Sequence, residues 1–303
     1  MKKVLILGVT SNIGYRFYTM YQHRYDLYGT CRKLPDLKML NVYELNSLSK
    51  EKLSMIINEV KPDIVINCIG IGSIDFCELN KEIAKEINFE VVKLLREIGY
   101  KAKYIFFSSA SIYSGSANLY NEESIPMPLH FYGKLKVEAD QYIKQKFDDY
   151  LILRPAPIIG VQQSFQRVNP ATFIIRKLYQ NLSIMLVNDV FSNLLFLDDC
   201  IKIMGELIDC DSQGDFNLAG NEIVSRYELG KMIAKAMHKD NGVIKACDSN
   251  YFKSLVPRPQ NLILDNKKIK CEIGYEPLSI SSAIEQIVKE QLNDLRKTLE
   301  EEI

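Results

Sequence analysis

Histidine is scarce in this sequence: His23, His130 and His238 are the full complement of its 303 residues. Three dispersed imidazoles give little support to a histidine metal cage or a serine-histidine triad. Paired cysteines are lacking too. Seven cysteines are scattered from Cys31 to Cys271 with no Cys-x-x-Cys, which argues against a disulfide framework and a zinc cluster and for a reducing compartment. No metal is expected. Nor is there an excess of charge of either sign, since Lys+Arg and Asp+Glu stand at 38 each. That balance removes the electrostatic case for nucleic acid or an anionic membrane surface and leaves a small molecule as the expected partner. No apolar run approaches the roughly 20 residues needed to span a bilayer. Lys2-Lys3 followed by Val4–Leu7 ends at Thr10-Ser11-Asn12 without a small-residue cleavage pattern, so it reads as a first buried strand and the expected location is the cytoplasm. No internal repeat or low-complexity segment is evident. The length suffices for one large α/β domain or two unequal lobes.

What is present concentrates between Ser108 and Lys136. The run Tyr104-Ile105-Phe106-Phe107 predicts a buried strand that delivers Ser108 and Ser109 to its C-terminal end, where open parallel sheets bind ligands. Tyr132 and Lys136 are spaced to share one face of a helix turn, where an ammonium would favour the phenolate and lower the phenol below its ordinary pKa of about 10. The sequence has three Tyr-x-x-x-Lys copies, Tyr132/Lys136, Tyr142/Lys146 and Tyr227/Lys231. Only the first follows a serine-bearing strand end, behind a Pro126/Pro128 loop that can return the chain to the same rim.

At the start of the chain, a Val4–Leu7 strand, the turn Gly8-Val9-Thr10-Ser11-Asn12-Ile13-Gly14 and a helix from Tyr15 to about Gln22 make the opening of a nucleotide-binding βαβ unit. Backbone N–H groups at such a helix start hold a pyrophosphate, and glycines let it approach. The second strand, about Asp26 to Cys31, ends at Arg32-Lys33. A guanidinium there suits the 2′-phosphate of NADP(H); Asp36 serving the ribose of NAD(H) is the alternative. Pro62 to Gly70 reads as another buried strand with a polar end, Cys68-Ile69-Gly70, on the cofactor side.

Ser109, Tyr132 and Lys136 together resemble the extended short-chain dehydrogenase/reductases, closest to the dTDP-4-dehydrorhamnose reductase group, which reduces nucleotide-activated keto-sugars. Pro62-Asp63-Ile64-Val65-Ile66-Asn67 is similar to a family run, with Asp75, Glu78 and Asn88 following at family spacing, and Arg258-Pro259-Gln260-Asn261 resembles a family signature. Ser11 stands where the family's middle glycine usually is, leaving a hydroxyl that could meet phosphate. The resemblance implies an α/β fold, a Rossmann-like doubly wound parallel sheet with a smaller C-terminal substrate-binding lobe. On this reading residues 1–158, with 194–220 returning, bind NADP(H), and 159–193 with 221–303 form the lobe. It implies Ser109, Tyr132, Lys136 and Asn88 as catalytic residues, with Asn88 ordering a water chain. Asn41, beside Leu40, is expected near the adenine. Ser109, Ser111, Asn169 and Arg258 are expected to meet the substrate, Arg258 clamping a diphosphate.

Further along, Leu195–Asp199 predicts the start of a helix capped by an aspartate, Asp215–Leu218 a short strand, and Tyr227–Met237 a helix whose surface carries Lys231. The tail carries Ile284, Ile287, Val288, Leu292, Leu295 and Leu299 at helical spacing, read as packing against the domain, with a homodimer contact as the sharper alternative. Among family reactions, Ala110 and Ser111 replace the Asp-Glu pair of dehydratases and the cysteine of epimerising reductases that resemble GDP-fucose synthase. The expected reaction is therefore reduction of a 4-keto (deoxy)sugar nucleotide by NADPH. A nucleotide-sugar 4-epimerase is the runner-up, and a noncatalytic regulatory or binding subunit with the same fold is the third reading.

Overall fold

Along the first strand, β1 (Lys3–Leu7), side chains alternate between two cores: Val4 and Ile6 point to one face, Leu5 and Leu7 to the other. All four are fully buried, as a strand covered on both faces requires. In the computed structural model, which describes residues 1–33, 39, 41–46 and 48–301, five further strands join it, the last in sheet order only half-buried: β2 (Asp26–Cys31), β3 (Val42–Glu44), β4 (Ile64–Asn67), β5 (Lys103–Phe107) and β6 (Tyr150–Pro155). With the strand Gly214–Leu218 they form a parallel sheet ordered Gly214–Leu218, β6, β5, β4, β1, β2, β3. The order reverses between β1 and β4. At such a point connections leave on opposite faces and open a crevice beyond the strand ends.

Helices α1 (Asn12–Tyr21) and, later in the chain, Leu197–Asp209 cover one face. Phe17, Tyr21 and Tyr25 stack there, the first pair with centroids 4.8 Å apart. On the other face lie α2 (Lys50–Val60), α3 (Ile74–Leu79), α4 (Lys81–Lys85), α5 (Val91–Glu97) and α6 (Phe131–Lys146). Residues Glu86–Glu90 widen into a π-turn between α4 and α5. That turn carries Asn88 inward, fully buried.

A third core belongs to the C-terminal lobe. Helices α7 (Pro170–Tyr179), α9 (Arg226–Ala236) and α11 (Ile280–Glu301) enclose it, α8 (Leu197–Asp209) being the helix already met on the sheet. Ile284, Ile287 and Val288 of the tail stripe are buried in this core and Leu292 and Leu295 half-buried against it, so the described part of the stripe packs against the domain. The Leu299 side chain, Asp36 and Leu40 lie outside the described residues. Between α9 and α11, α10 (Lys267–Ile273) buries Ile269 in the sheet's core instead. At the start of α8 the aspartates are not caps. Phe196 precedes the helix without a side-chain cap; Asp198 binds Arg16 of α1, and Asp199 accepts from Tyr275 Oη and Leu278 N.

Candidate active site

The turn after β1 is closed by backbone geometry. Gly8 has φ +79°, and a Cβ there would come within 3.2 Å of the Cys68 carbonyl carbon at the end of β4. A Cβ on Gly14 would lie 2.6 Å from Gly8 O. Ser11 caps α1, its Oγ accepting from Gly14 N at 3.0 Å. The residue replacing the middle glycine has thus found a structural role. Asn67 shapes the neighbouring turn, accepting from Ile69 N and donating to Tyr104 Oη.

Ser109 and Tyr132 are brought together by close backbone packing. Gly133 lets α6 lie against the turn after β5: a Cβ there would sit 2.4 Å from Ser111 O. His130 starts α6, its Nδ1 accepting from Gly133 N at 3.1 Å, which leaves the proton on Nε2. The Ser109 hydroxyl accepts from Ser111 N and lines the same cavity as the Tyr132 phenol. Lys136 Nζ donates to Phe107 O at 2.8 Å and lies 5.8 Å from the Tyr132 ring centre.

Burial pushes the Tyr132 phenol up to about 12, against opposing pulls from the neighbouring Ser109 hydroxyl and the Arg167 charge. The expectation that Lys136 lowers this pKa is therefore corrected: desolvation dominates, and the ammonium is turned to the Phe107 carbonyl. Burial also pulls Lys136 down to about 8, while Asp140 one helical turn further on pulls it up. The Cys68 thiol is pushed up to about 12 and stays protonated.

These groups open onto a cavity of about 890 Å³. Ser11, Asn12, Ile13, Cys68, Ile69, Gly70 and Asn88 form one part of its wall; Ser109, Ser111, Tyr132 and Lys136 form its centre. The C-terminal lobe contributes Arg167, Asn169, Phe173, Ile174, Leu186, Arg226 and Leu262. Lys136, Arg167 and Arg226 are cationic, and among the described residues the wall holds no aspartate or glutamate. A cavity of this size and sign at the switch point fits a dinucleotide with room beside it.

Not every expected residue arrives there. Arg258 donates to Asp75 Oδ2 at 2.7 Å and is outside the wall, so a diphosphate would have to displace a carboxylate to reach it. Asn169 lines the cavity, but its side chain caps α7, accepting from Ala171 N and Thr172 N and donating to Gly160 O. Asn88 Oδ1 accepts from Ile71 N while Nδ2 donates to Ala84 O and Ile71 O, which fixes the Gly70–Ile71 loop. Arg32 and Asn41 are exposed and, with Thr10, Gly8 and Gly14, are not in the wall itself; Asn41 has φ +55° and accepts from Gly29 N through its carbonyl. Arg167 and Arg226 escaped sequence reading. The signal for Arg226 was its place: a cation directly after the Ser225 cap of α9, where the helix dipole disfavours one. Of the other tyrosine-lysine pairs, Tyr142 packs edge-on against Phe89 and Lys231 lies over the Tyr227 ring.

Comparison with known proteins agrees with this geometry. Methionine adenosyltransferase 2 subunit beta of Xenopus laevis is 24% identical over 284 residues, 89% of this chain and 82% of its own length. A dTDP-4-dehydrorhamnose reductase of Aggregatibacter actinomycetemcomitans is 25% identical over 267 residues, 82% of this chain and 88% of its own. The crystal structure of dTDP-4-dehydrorhamnose reductase from Bacillus anthracis in complex with NADP superposes with a TM-score of 0.84 at 21% identity, over 96% of this chain and all of that one. The family described as RmlD substrate binding domain matches residues 1–293, and the chain belongs to that family.

Proposed function

We propose that the protein is an NADPH-dependent reductase of a 4-keto (deoxy)sugar nucleotide. The observation that carries this reading is the convergence of Ser109 and Tyr132 on one cationic, carboxylate-free cavity, with Lys136 buried beside them. Residues 1–158 with 194–220 serve as the cofactor domain, joined by α10 through Ile269; 159–193 and the rest of 221–303 serve as the substrate lobe. The similarity to NADP-bound dTDP-4-dehydrorhamnose reductase supports the reduced nicotinamide, which supplies a hydride to the keto carbon when bound. The protein's part is the proton and the geometry. A phenol near 12 is protonated at neutral pH, the state in which it can donate to a nascent alkoxide. Ser109 bonds the same oxygen, and Lys136 supplies positive charge beneath the site.

The Methionine adenosyltransferase 2 subunit beta similarity favours a second reading, a binding subunit of another enzyme that keeps this fold. Mixing the protein with NADPH and a panel of 4-keto sugar nucleotides separates the possibilities. Stoichiometric loss of NADPH absorbance marks the reductase; epimerised sugar with NADPH unchanged marks an epimerase; unchanged sugar and cofactor mark the subunit. With the substrate that reacts, Tyr132→Phe is expected to lower turnover by on the order of 10² to 10⁴, and a variant within threefold of wild type removes Tyr132 from the mechanism.

A further inference from the structure

Arg226 is out of place in two respects. It is the first residue of α9, where the helix dipole repels a cation, although the Ser225/Glu228 capping box meets every other demand of that helix start. Its Nη1 is also sealed from solvent with no hydrogen-bond partner, and no carboxylate pairs with it among the described residues. Burial alone pulls the guanidinium down to about 10, which still leaves it charged at neutral pH. An unpaired buried charge is costly, and proteins otherwise partner one. Here the same side chain forms part of the cavity wall, next to apolar contributions from Ile174, Leu186 and Leu262.

We propose that Arg226 anchors the anionic centre of the second ligand, the diphosphate that joins sugar to nucleoside, at the lobe's end of the cavity. A planar guanidinium in an apolar wall recognises a phosphate oxygen pair bidentately and discriminates against a neutral sugar. This rests on the reading of the site as a sugar-nucleotide reductase and moves the diphosphate contact from Arg258, whose charge Asp75 already meets, to a cation with no partner of its own.

The test titrates NADPH-loaded wild type, Arg226→Gln and Arg258→Gln with dTDP, UDP, GDP and inorganic pyrophosphate by calorimetry, alongside thymidine as an uncharged control. At least one nucleoside diphosphate is expected to bind wild type. Arg226→Gln is expected to weaken it by about 10- to 100-fold, the scale of a charge-assisted hydrogen bond, while Arg258→Gln changes it less than twofold. The ligand-free melting temperature of Arg226→Gln should equal or exceed that of wild type, because an uncompensated charge has been removed. Diphosphate affinity within twofold of wild type in Arg226→Gln, or no diphosphate binding to wild type, overturns the assignment. So does an equal loss of NADPH affinity, which would give the guanidinium to the cofactor. If Arg226 governs diphosphate binding yet no keto-sugar is reduced, the subsite stands and the reaction fails; if the sugar is reduced with an Arg226-independent KM, the reverse holds.

Discussion

A lysine buried without a carboxylate contact is a liability until something in the cavity meets its charge. Lys136 has one hydrogen bond, to a backbone carbonyl, and its pKa is pulled from 10.5 to about 8 by burial. A base with a lowered folded-state pKa binds fewer protons than in the unfolded chain, so its destabilising contribution is full below about 8 and fades as pH rises toward 10.5. Lys136→Met should accordingly be more stable than wild type at pH 7 in denaturant melts, the advantage narrowing toward pH 10; a pH-independent difference contradicts this. Ser109, Tyr132 and Lys136 were legible from the serine-bearing strand end, the tyrosine-lysine spacing and the family resemblance together. Their titration was not, because the balance between burial and attraction depends on how deeply α6 sits. Arg258 misled for a related reason: its partner Asp75 lies 183 residues away in the chain.

At the scale of elements, the site depends on α6 approaching the turn after β5 with nothing between them. Gly133→Ala would place a methyl 2.4 Å from Ser111 O and 2.8 Å from Pro128 Cβ. Neither neighbour is a flexible side-chain tip, so the helix must retreat from Ser109. We expect a stability loss of about 1–3 kcal/mol, the usual range for overpacking, together with at least a tenfold fall in turnover. Circular dichroism melts and initial rates check both, and an alanine variant with wild-type rates would show that the Ser109–Tyr132 contact is not set by this packing. Strands and most helices were readable from apolar runs and caps. The π-turn at Glu86–Glu90 was not: it exists so that Asn88 can reach Ile71, a contact across sequence that no local periodicity encodes.

For the molecule as a whole, one buried arginine ties the sheet's edge to the helix that carries the site. Arg154 on β6 reaches Asp140 on α6, Asp215 on the edge strand and the Glu122 carbonyl. Removing one member of such a network strands the others, so Arg154→Ala should cost about 3–5 kcal/mol, read as a lower urea midpoint. An effect under 1 kcal/mol would mean the carboxylates had found water. The doubly wound order was implied by the family resemblance, whereas the return of α10 to the sheet had no signal beyond one apolar residue, Ile269. The cavity lies between cores that are built separately, one on each side of it. A molecule filling it becomes a rivet: the two parts should then exchange their amide hydrogens in step, and the chain should come apart in one event rather than two.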